Sequence, residues 1–404
     1  MDEYFQSEEF QALIERYEIS LASNNPVYFE TDEWGDIIQY FATLGRNDLA
    51  LKAADEALGM HPGAVTPLAF KARYALTMDC NVEQAEHYAE MVVDKTDCEY
   101  DYLIAEIMIH KDQIEQMDHY LLNRFRDQVP DEQDDFALDV AEMLNDYHLT
   151  ELTLAWLGLV KDKDMVDYKT IKAKALVYST TRDYDGEGEQ LLEQLTHDDP
   201  YNVRNWLMLA EAQLVKEEYQ TCIESCDYAI AISPKSLSAI LTKARALHAL
   251  EREVEMVALL QHSQQVCDGQ DREVVGVALA FGLLLIGREH EAYTMIDSLL
   301  CNTNDELSLF STALMVTDGE SASKKIYPLI KHLFTGLDKD NECFWAHMTL
   351  LSLGAGELDD YQYYLKEAIH RNPEEARSLL EVFFPKESKM EEWPTLIPKE
   401  PTHG

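Results

Sequence analysis

The segment Leu44–Pro62, LGRNDLALKAADEALGMHP, contains a glycine turn, small apolar residues at helical spacing and a proline. Ala50, Ala54 and Ala57 share one helix face, because side chains three or four residues apart lie above one another. Pro62 has no backbone N–H to donate, so the helix should end before it. The segment holds no nucleophile, metal-ligand pair or phosphate-binding loop. It therefore predicts a helix that packs closely against a neighbour.

The pattern of this segment recurs about every 34 residues along most of the chain. With Gly45 as position 15, the first unit runs from residue 31 to residue 64. Tryptophan returns at position 4 in Trp206 and Trp345, and proline returns at position 32 in Pro234 and Pro373. The predicted units are 31–64, 65–98, 99–132, 133–166, 167–202, 203–236, 237–272, 273–306, 307–341 and 342–375. The fifth unit carries two extra residues, and the ninth is degenerate.

This pattern resembles the tetratricopeptide repeat (TPR) family. That family has a large residue at position 4, small residues at positions 8, 20 and 27, and proline at position 32. The resemblance implies an all-α fold, a right-handed α-superhelix of helix-turn-helix repeats whose first helices line a concave groove. One helix pair cannot bury its apolar face alone, and stacked neighbours bury it instead.

The ends of the chain are predicted to cap the array. An apolar helical stripe within residues 1–30 predicts an N-terminal cap helix, and residues 376–384 predict a C-terminal one. Residues 385–404 are rich in proline and are predicted to form a disordered tail. Within that tail, Trp393–Pro398 is an apolar island. It is either an extended ligand for a groove or part of an unstructured terminus.

Two residues depart from the repeat pattern. Glu106 at position 8 and Asp118 at position 20 place carboxylates where the family has small residues. Burying a carboxylate without a partner costs free energy. The third unit is therefore expected to pack loosely.

The composition limits the classes of partner. The 404 residues include 76 acidic and 33 basic side chains, for a net charge of −43. Such a polyanion repels nucleic acids and anionic membranes, so neither is expected as a partner.

The apolar run Val274–Gly287 is too short to cross a membrane and indicates a buried helix. The lack of a signal peptide and seven cysteines without a CxxC pair predict a cytoplasmic protein.

Three segments resemble sites of known chemistry only in part. Asp183–Gln194 matches the start of a calcium loop but lacks the bidentate glutamate at its end. Cys222 and Cys226 have the spacing of half a metal site, yet positions 20 and 24 favour core cysteines. His290–Thr294 begins like a zinc-protease motif without its second histidine. The sequence therefore predicts no catalytic residue, no cofactor and no metal.

The TPR resemblance implies that positions 2, 5, 6, 9, 12 and 13 of each first helix face the groove. The candidate partner-binding residues are Arg73, Tyr100, Ile104, Lys111, Tyr168, Lys172, Tyr178, Arg204, Met208, Arg245 and His248. Aromatic and apolar side chains would anchor a partner, and arginine or lysine would bind its carboxylates. Alternatively, some of these cations pair with acids of the chain itself, or the register is wrong by one residue.

Three functions remain open from the sequence. The first is a non-catalytic scaffold that binds a peptide or helix of a partner protein in the groove, whose basic residues favour an acidic partner. The second is a structural or self-associating subunit of a larger complex. The third is an enzyme or enzyme regulator whose site is not visible in the sequence.

Overall fold

A computed structural model describes residues 5, 7–23, 27–177, 186–303, 306–317, 326–337, 344–384 and 388–395. These residues form helices and connecting turns, and none of them forms a strand. The prediction of an all-α fold is therefore confirmed. The chain divides into two compact units, Met1–Gly188 (unit 1) and Glu189–Gly404 (unit 2).

Unit 1 is a stack of helix pairs. Each pair consists of a first and a second helix in contact, as in α2 with α3 and α4 with α5, and successive first helices also contact each other. The helices are α1 (Glu8–Ser23), α2 (Thr31–Thr43), α3 (Asn47–Met60), α4 (Val65–Thr77), α5 (Val82–Met91), α6 (Cys98–His110), α7 (Ile114–Asp127), α8 (Gln133–Asp146), α9 (Thr150–Leu157) and α10 (Val166–Val177).

Unit 2 also consists of paired helices. Its helices are α11 (Glu187–Asp198, which begins at the boundary), α12 (Val203–Val215), α13 (Tyr219–Ile232), α14 (Leu237–Ala249), α15 (Glu253–Val266), α16 (Gly269–Leu285), α17 (Glu289–Asn302), α18 (Glu306–Thr317), α19 (Tyr327–Gly336), α20 (Trp345–Ala355), α21 (Leu358–Arg371) and α22 (Pro373–Leu380). First helices α12, α14, α16 and α18 contact one another in order. The division into ten repeats with the bounds given above stays a prediction.

The opening segment folds as the sequence predicts. Helix α3 ends at Met60, two residues before Pro62, and Ala50, Ala54 and Ala57 are at most 1% exposed. Methyl side chains on this face let α3 approach α2 and α4 closely, because no larger group separates the backbones. Helix α16 is likewise buried: every residue from Val275 to Leu284 is at most 9% exposed. Among the described helices, none is both long and apolar enough to span a membrane.

The turns between paired helices contain a residue with positive φ. In the pair α2–α3 this is Gly45, and the next N–H, of Arg46, donates to the carbonyl of Phe41 at 2.9 Å. In the pair α12–α13 the residue is Glu217, and the N–H of Glu218 donates to the carbonyl of Gln213 at 2.8 Å. Such residues are Gly45, Cys80, Asp112, His148, Glu217, Glu251, Gly287 and Gly356. After seven of these residues the next N–H donates to the carbonyl five residues back, whereas after Cys80 the N–H of Asn81 donates to the carbonyl of Ala75, six residues back.

The left-handed turns predict opposite effects of two substitutions. Gly287→Ala should lower the free energy of unfolding by about 1 kcal/mol, since a Cβ disfavours positive φ. No atom lies within 4 Å of where that Cβ would stand, so the loss measures the backbone alone. Glu217→Gly should raise stability by a few tenths of a kcal/mol, because the relief of strain exceeds the added entropy of the unfolded chain. Urea unfolding of both variants checks the signs, and a stabilising Gly287→Ala would contradict this account.

The expected loose packing of residues 99–132 is wrong. Glu106 accepts a hydrogen bond from Nε of Arg73 at 2.7 Å, and Asp118 accepts one from the indole N–H of Trp156 at 2.8 Å. Met117 and Leu121, which flank Asp118, have no exposed surface. Donors on adjacent helix pairs satisfy both carboxylates, so the helices pack closely around them.

The C-terminal segment contacts the last helices of unit 2. Trp393 lies in a short 3-10 helix, Met390–Thr395, and is 3% exposed. Its ring stacks on that of Phe384, with centroids 4.5 Å apart and planes 7° from parallel. Its indole N–H donates to Oγ of Ser388 at 3.2 Å. This tryptophan therefore packs against its own chain, while residues 396–398 of the apolar island lie outside the described residues.

Candidate interaction surface

Four predicted residues lie on two first helices of unit 2 that contact each other. Arg204 and Met208 are on α12, and Arg245 and His248 are on α14. Their spacings of four and three residues place each pair on one helix face. Arg204, Arg245 and His248 are exposed, and Met208 is half-buried. These four side chains are called the first-helix surface below.

Acidic side chains lie near the cations of the first-helix surface. Nδ1 of His248 is 3.6 Å from a carboxylate oxygen of Glu253. The pKa of the Cys222 thiol is lowered mainly by its hydrogen bond with Cys226, against the effect of burial. Arg245 lowers that pKa further and Glu211 raises it, so both charges lie close to this thiol. Arg245 therefore sits in a mixed electrostatic environment.

Cys222 and Cys226 are core residues, as their positions indicate. Both are fully buried, and hydrogen bonding and burial raise the pKa of the Cys226 thiol. A neutral buried thiol behaves as a small apolar group. Among the described residues, no three His, Cys, Asp or Glu side chains are grouped to hold a metal ion. Asp183 and Asp185 of the calcium-like turn lie outside the described residues.

The predicted cations of unit 1 are paired within the unit. Arg73 binds Glu106 and Glu99, Nζ of Lys111 lies 2.6 Å from Glu86, and Nζ of Lys172 lies 2.6 Å from Glu187. Burial alone would lower the pKa of Arg73, but the two carboxylates raise it. The sequence alternative of internal pairing is therefore what the structure shows for these three cations. Solvent-exposed pairs contribute only about 0–1 kcal/mol, so a partner can displace Glu86 more readily than Glu106.

The predicted apolar anchors of unit 1 differ in accessibility. Tyr100 and Ile104 are half-buried and pack against the core between α4 and α6, and Nζ of Lys95 lies 5.5 Å from the Tyr100 ring centre. Tyr168 is only 8% exposed and belongs to the core around α8 and α9, so it is not an available anchor. Its assignment to the groove is corrected on this ground. Tyr178 lies outside the described residues.

A second surface on unit 2 was not expected from the sequence. Tyr201 and Tyr228 are exposed, and half-buried Trp206 stacks on Tyr228; these three residues are called the aromatic surface below. The sequence pattern assigns Trp206 to the packing position 4 and gives no role to the two tyrosines. One sequence signal could have predicted the exposure of Tyr201: it directly follows Pro200, the proline at the end of a predicted unit, and the loops between units lie on the surface.

Comparisons with known proteins show only a general likeness. No family model and no curated protein matches the chain. Two similar solved structures are "Crystal structure of APC/C hetero-tetramer Cut9-Hcn1" and "Crystal Structure of the Yeast Tom70". The first has 14% identity and a TM-score of 0.34, over 89% of this chain and 70% of that chain. The second has 11% identity and a TM-score of 0.39, over 94% of this chain and 92% of that chain.

Proposed function

We propose that the chain is a non-catalytic, cytoplasmic protein-interaction scaffold built from ten TPR-like units. It binds a peptide or helix of a partner protein on the first-helix surface. The observation that carries the proposal is the exposure of Arg204, Arg245 and His248 beside Met208 on two contacting helices. All six cysteines in the described part of the chain are free thiols, which supports a reducing compartment.

The chemistry of this surface favours a partner segment with carboxylates next to an apolar residue. A guanidinium group binds a carboxylate with two parallel hydrogen bonds, and a methionine side chain adapts to different apolar shapes. The whole chain carries a net charge of −43, so an acidic partner is repelled at long range. Recognition must therefore come from short-range pairs with Arg204 and Arg245.

The double substitution Arg204→Glu plus Arg245→Glu tests this proposal. Partners are first captured from the native lysate, identified, purified and measured by calorimetry. We expect at least a tenfold loss of affinity, about 1.4 kcal/mol or more, because two attractive charges become repulsive. Circular dichroism should show an unchanged helical fold, since both side chains are exposed.

A matched control makes the same charge change elsewhere in unit 2. Arg252→Glu plus Arg288→Glu alters two surface arginines that form ion pairs with Glu255 and Glu291. This control variant should bind every captured partner with unchanged affinity. If the first double variant also retains every partner, the first-helix surface is not the binding site. A mass well above 46.3 kDa at low concentration would instead support a self-associating subunit.

A further inference from the structure

Two rings of the aromatic surface stack on each other, and the third residue, Tyr201, is next to a backbone carbonyl that one of them binds. Trp206 stacks on Tyr228 with ring centroids 4.4 Å apart and planes 19° from parallel. The indole N–H of Trp206 donates to the carbonyl of Pro200 at 2.8 Å, directly before Tyr201 in the chain. The three rings therefore lie at the start of α12, on the adjacent face of α13 and on the segment between α11 and α12.

The exposure of these rings is unusual within this chain. Tyr201 is 82% exposed and Tyr228 is 57% exposed. Of the five tryptophans, all of which are described, the other four are at most 7% exposed, while Trp206 is only half-buried. Single exposed apolar residues are common on protein surfaces, but clustered exposed aromatic rings mark interaction sites.

Three carboxylates lie close to the rings in sequence, and a lysine neutralises one of them. Asp199 is exposed and accepts the backbone N–H of Tyr201 at 3.3 Å. Glu224 is exposed, lies one turn before Tyr228 on α13 and accepts a hydrogen bond from Gln220 at 3.3 Å. Asp227, next to Tyr228, is paired with Lys243.

The nearest cation in sequence belongs to the other surface. Arg204 precedes Trp206 by two residues, which places the two side chains on opposite sides of α12. The electron-rich ring faces and the carboxylates of the aromatic surface therefore have no arginine from α12 on their side. A positively charged side chain of another protein is complementary to this combination of rings and carboxylates.

We propose that the aromatic surface binds an arginine-containing segment of a partner protein. The planar guanidinium stacks on an aromatic face while its N–H groups donate to Asp199 or Glu224. An ammonium group fits less well, because it is strongly hydrated and cannot stack as a plane. This inference does not depend on the first-helix surface, which has the opposite charge preference and lies on the other side of α12.

Peptide titration of the full chain tests this inference. The probe is acetyl-Gly-Leu-Arg-Leu-Arg-Gly-amide, with matched peptides that carry citrulline or lysine in place of arginine. Tryptophan fluorescence is the readout, because Trp206 is the most accessible indole. At about 0.15 M salt we expect the arginine peptide to bind roughly tenfold more tightly than the citrulline peptide, with lysine between them. Equal affinities for arginine and citrulline, or no fluorescence change up to about 1 mM, would overturn the proposal.

Two variants locate the site while keeping the reporter. Tyr201→Ser plus Tyr228→Leu removes the exposed tyrosines and should weaken the arginine peptide by about tenfold. Tyr28→Ser plus Tyr363→Leu makes the same changes at tyrosines that are 60% and 54% exposed, and it should have no effect. An equal loss in both variants would place binding elsewhere. Arg204→Glu plus Arg245→Glu should retain the arginine peptide, so failure of the first-helix proposal is recognised separately.

Discussion

Trp156→Ala should lower the free energy of unfolding of the region around α7–α9 by about 4 kcal/mol. Trp156 is 1% exposed and packs edge-on against Phe125, with ring centroids 5.9 Å apart. Removal of the side chain leaves a large cavity. It also leaves the Asp118 carboxylate without the hydrogen bond that it accepts from the indole N–H at 2.8 Å. Hydrogen exchange of the α7–α9 amides checks the effect locally, because a repeat array need not unfold in one step.

Two control substitutions separate the cavity from the hydrogen bond. Trp156→Phe keeps most of the ring volume but leaves Asp118 without its donor, so it should cost about 1–2 kcal/mol. Trp206→Ala removes the same side chain from a half-buried position and should cost less than Trp156→Ala. If Trp156→Ala were no worse than Trp206→Ala, burial would not be what stabilises this region.

Arg73→Met should destabilise unit 1 by about 2–3 kcal/mol at neutral pH. It leaves Glu106, which is 8% exposed, without its cation. The cost is below that of a fully buried pair, because the Arg73 side chain is 35% exposed and water screens part of the interaction. Urea unfolding followed by circular dichroism measures the difference from the unmodified chain.

The loss caused by Arg73→Met should shrink as the pH falls. Burial raises the pKa of Glu106 above its ordinary value of 4.5, and Arg73 opposes this rise. Without Arg73, Glu106 in the folded variant binds a proton at a still higher pH than it does in the unfolded chain. The free energy of unfolding of Arg73→Met therefore increases as the pH falls from the raised pKa of Glu106 to about 4.5. A loss that grows on acidification would contradict this assignment.

A second substitution should restore stability. Replacing Glu106 as well, in Arg73→Met plus Glu106→Met, removes the unpaired charge and should recover most of the loss. Lys111→Met is the matched control at another predicted cation, whose pair with Glu86 is 38% and 43% exposed. It should cost less than about 1 kcal/mol, with no comparable change on acidification.

The candidate site could be predicted only in part. Arg204, Met208, Arg245 and His248 are accessible on first helices, where the repeat positions predict them. Tyr168 is buried instead, because it packs into the core around α8 and α9. Helical spacing specifies the direction of a side chain from its own helix, but it does not show what covers that side chain.

Local patterns in the amino-acid sequence specify the helices and their pairing. Periodic small residues, turn residues and terminal prolines act within one or two helical turns, so α3 could be located from Leu44–Pro62 alone. Packing between helices determines which charges and rings stay accessible to a partner. Arg73 pairs with a carboxylate 33 residues away, Trp206 stacks on a ring of the next helix, and Tyr201 and Tyr228 stay exposed. Such contacts join different helices, and only packing sets the distance between them.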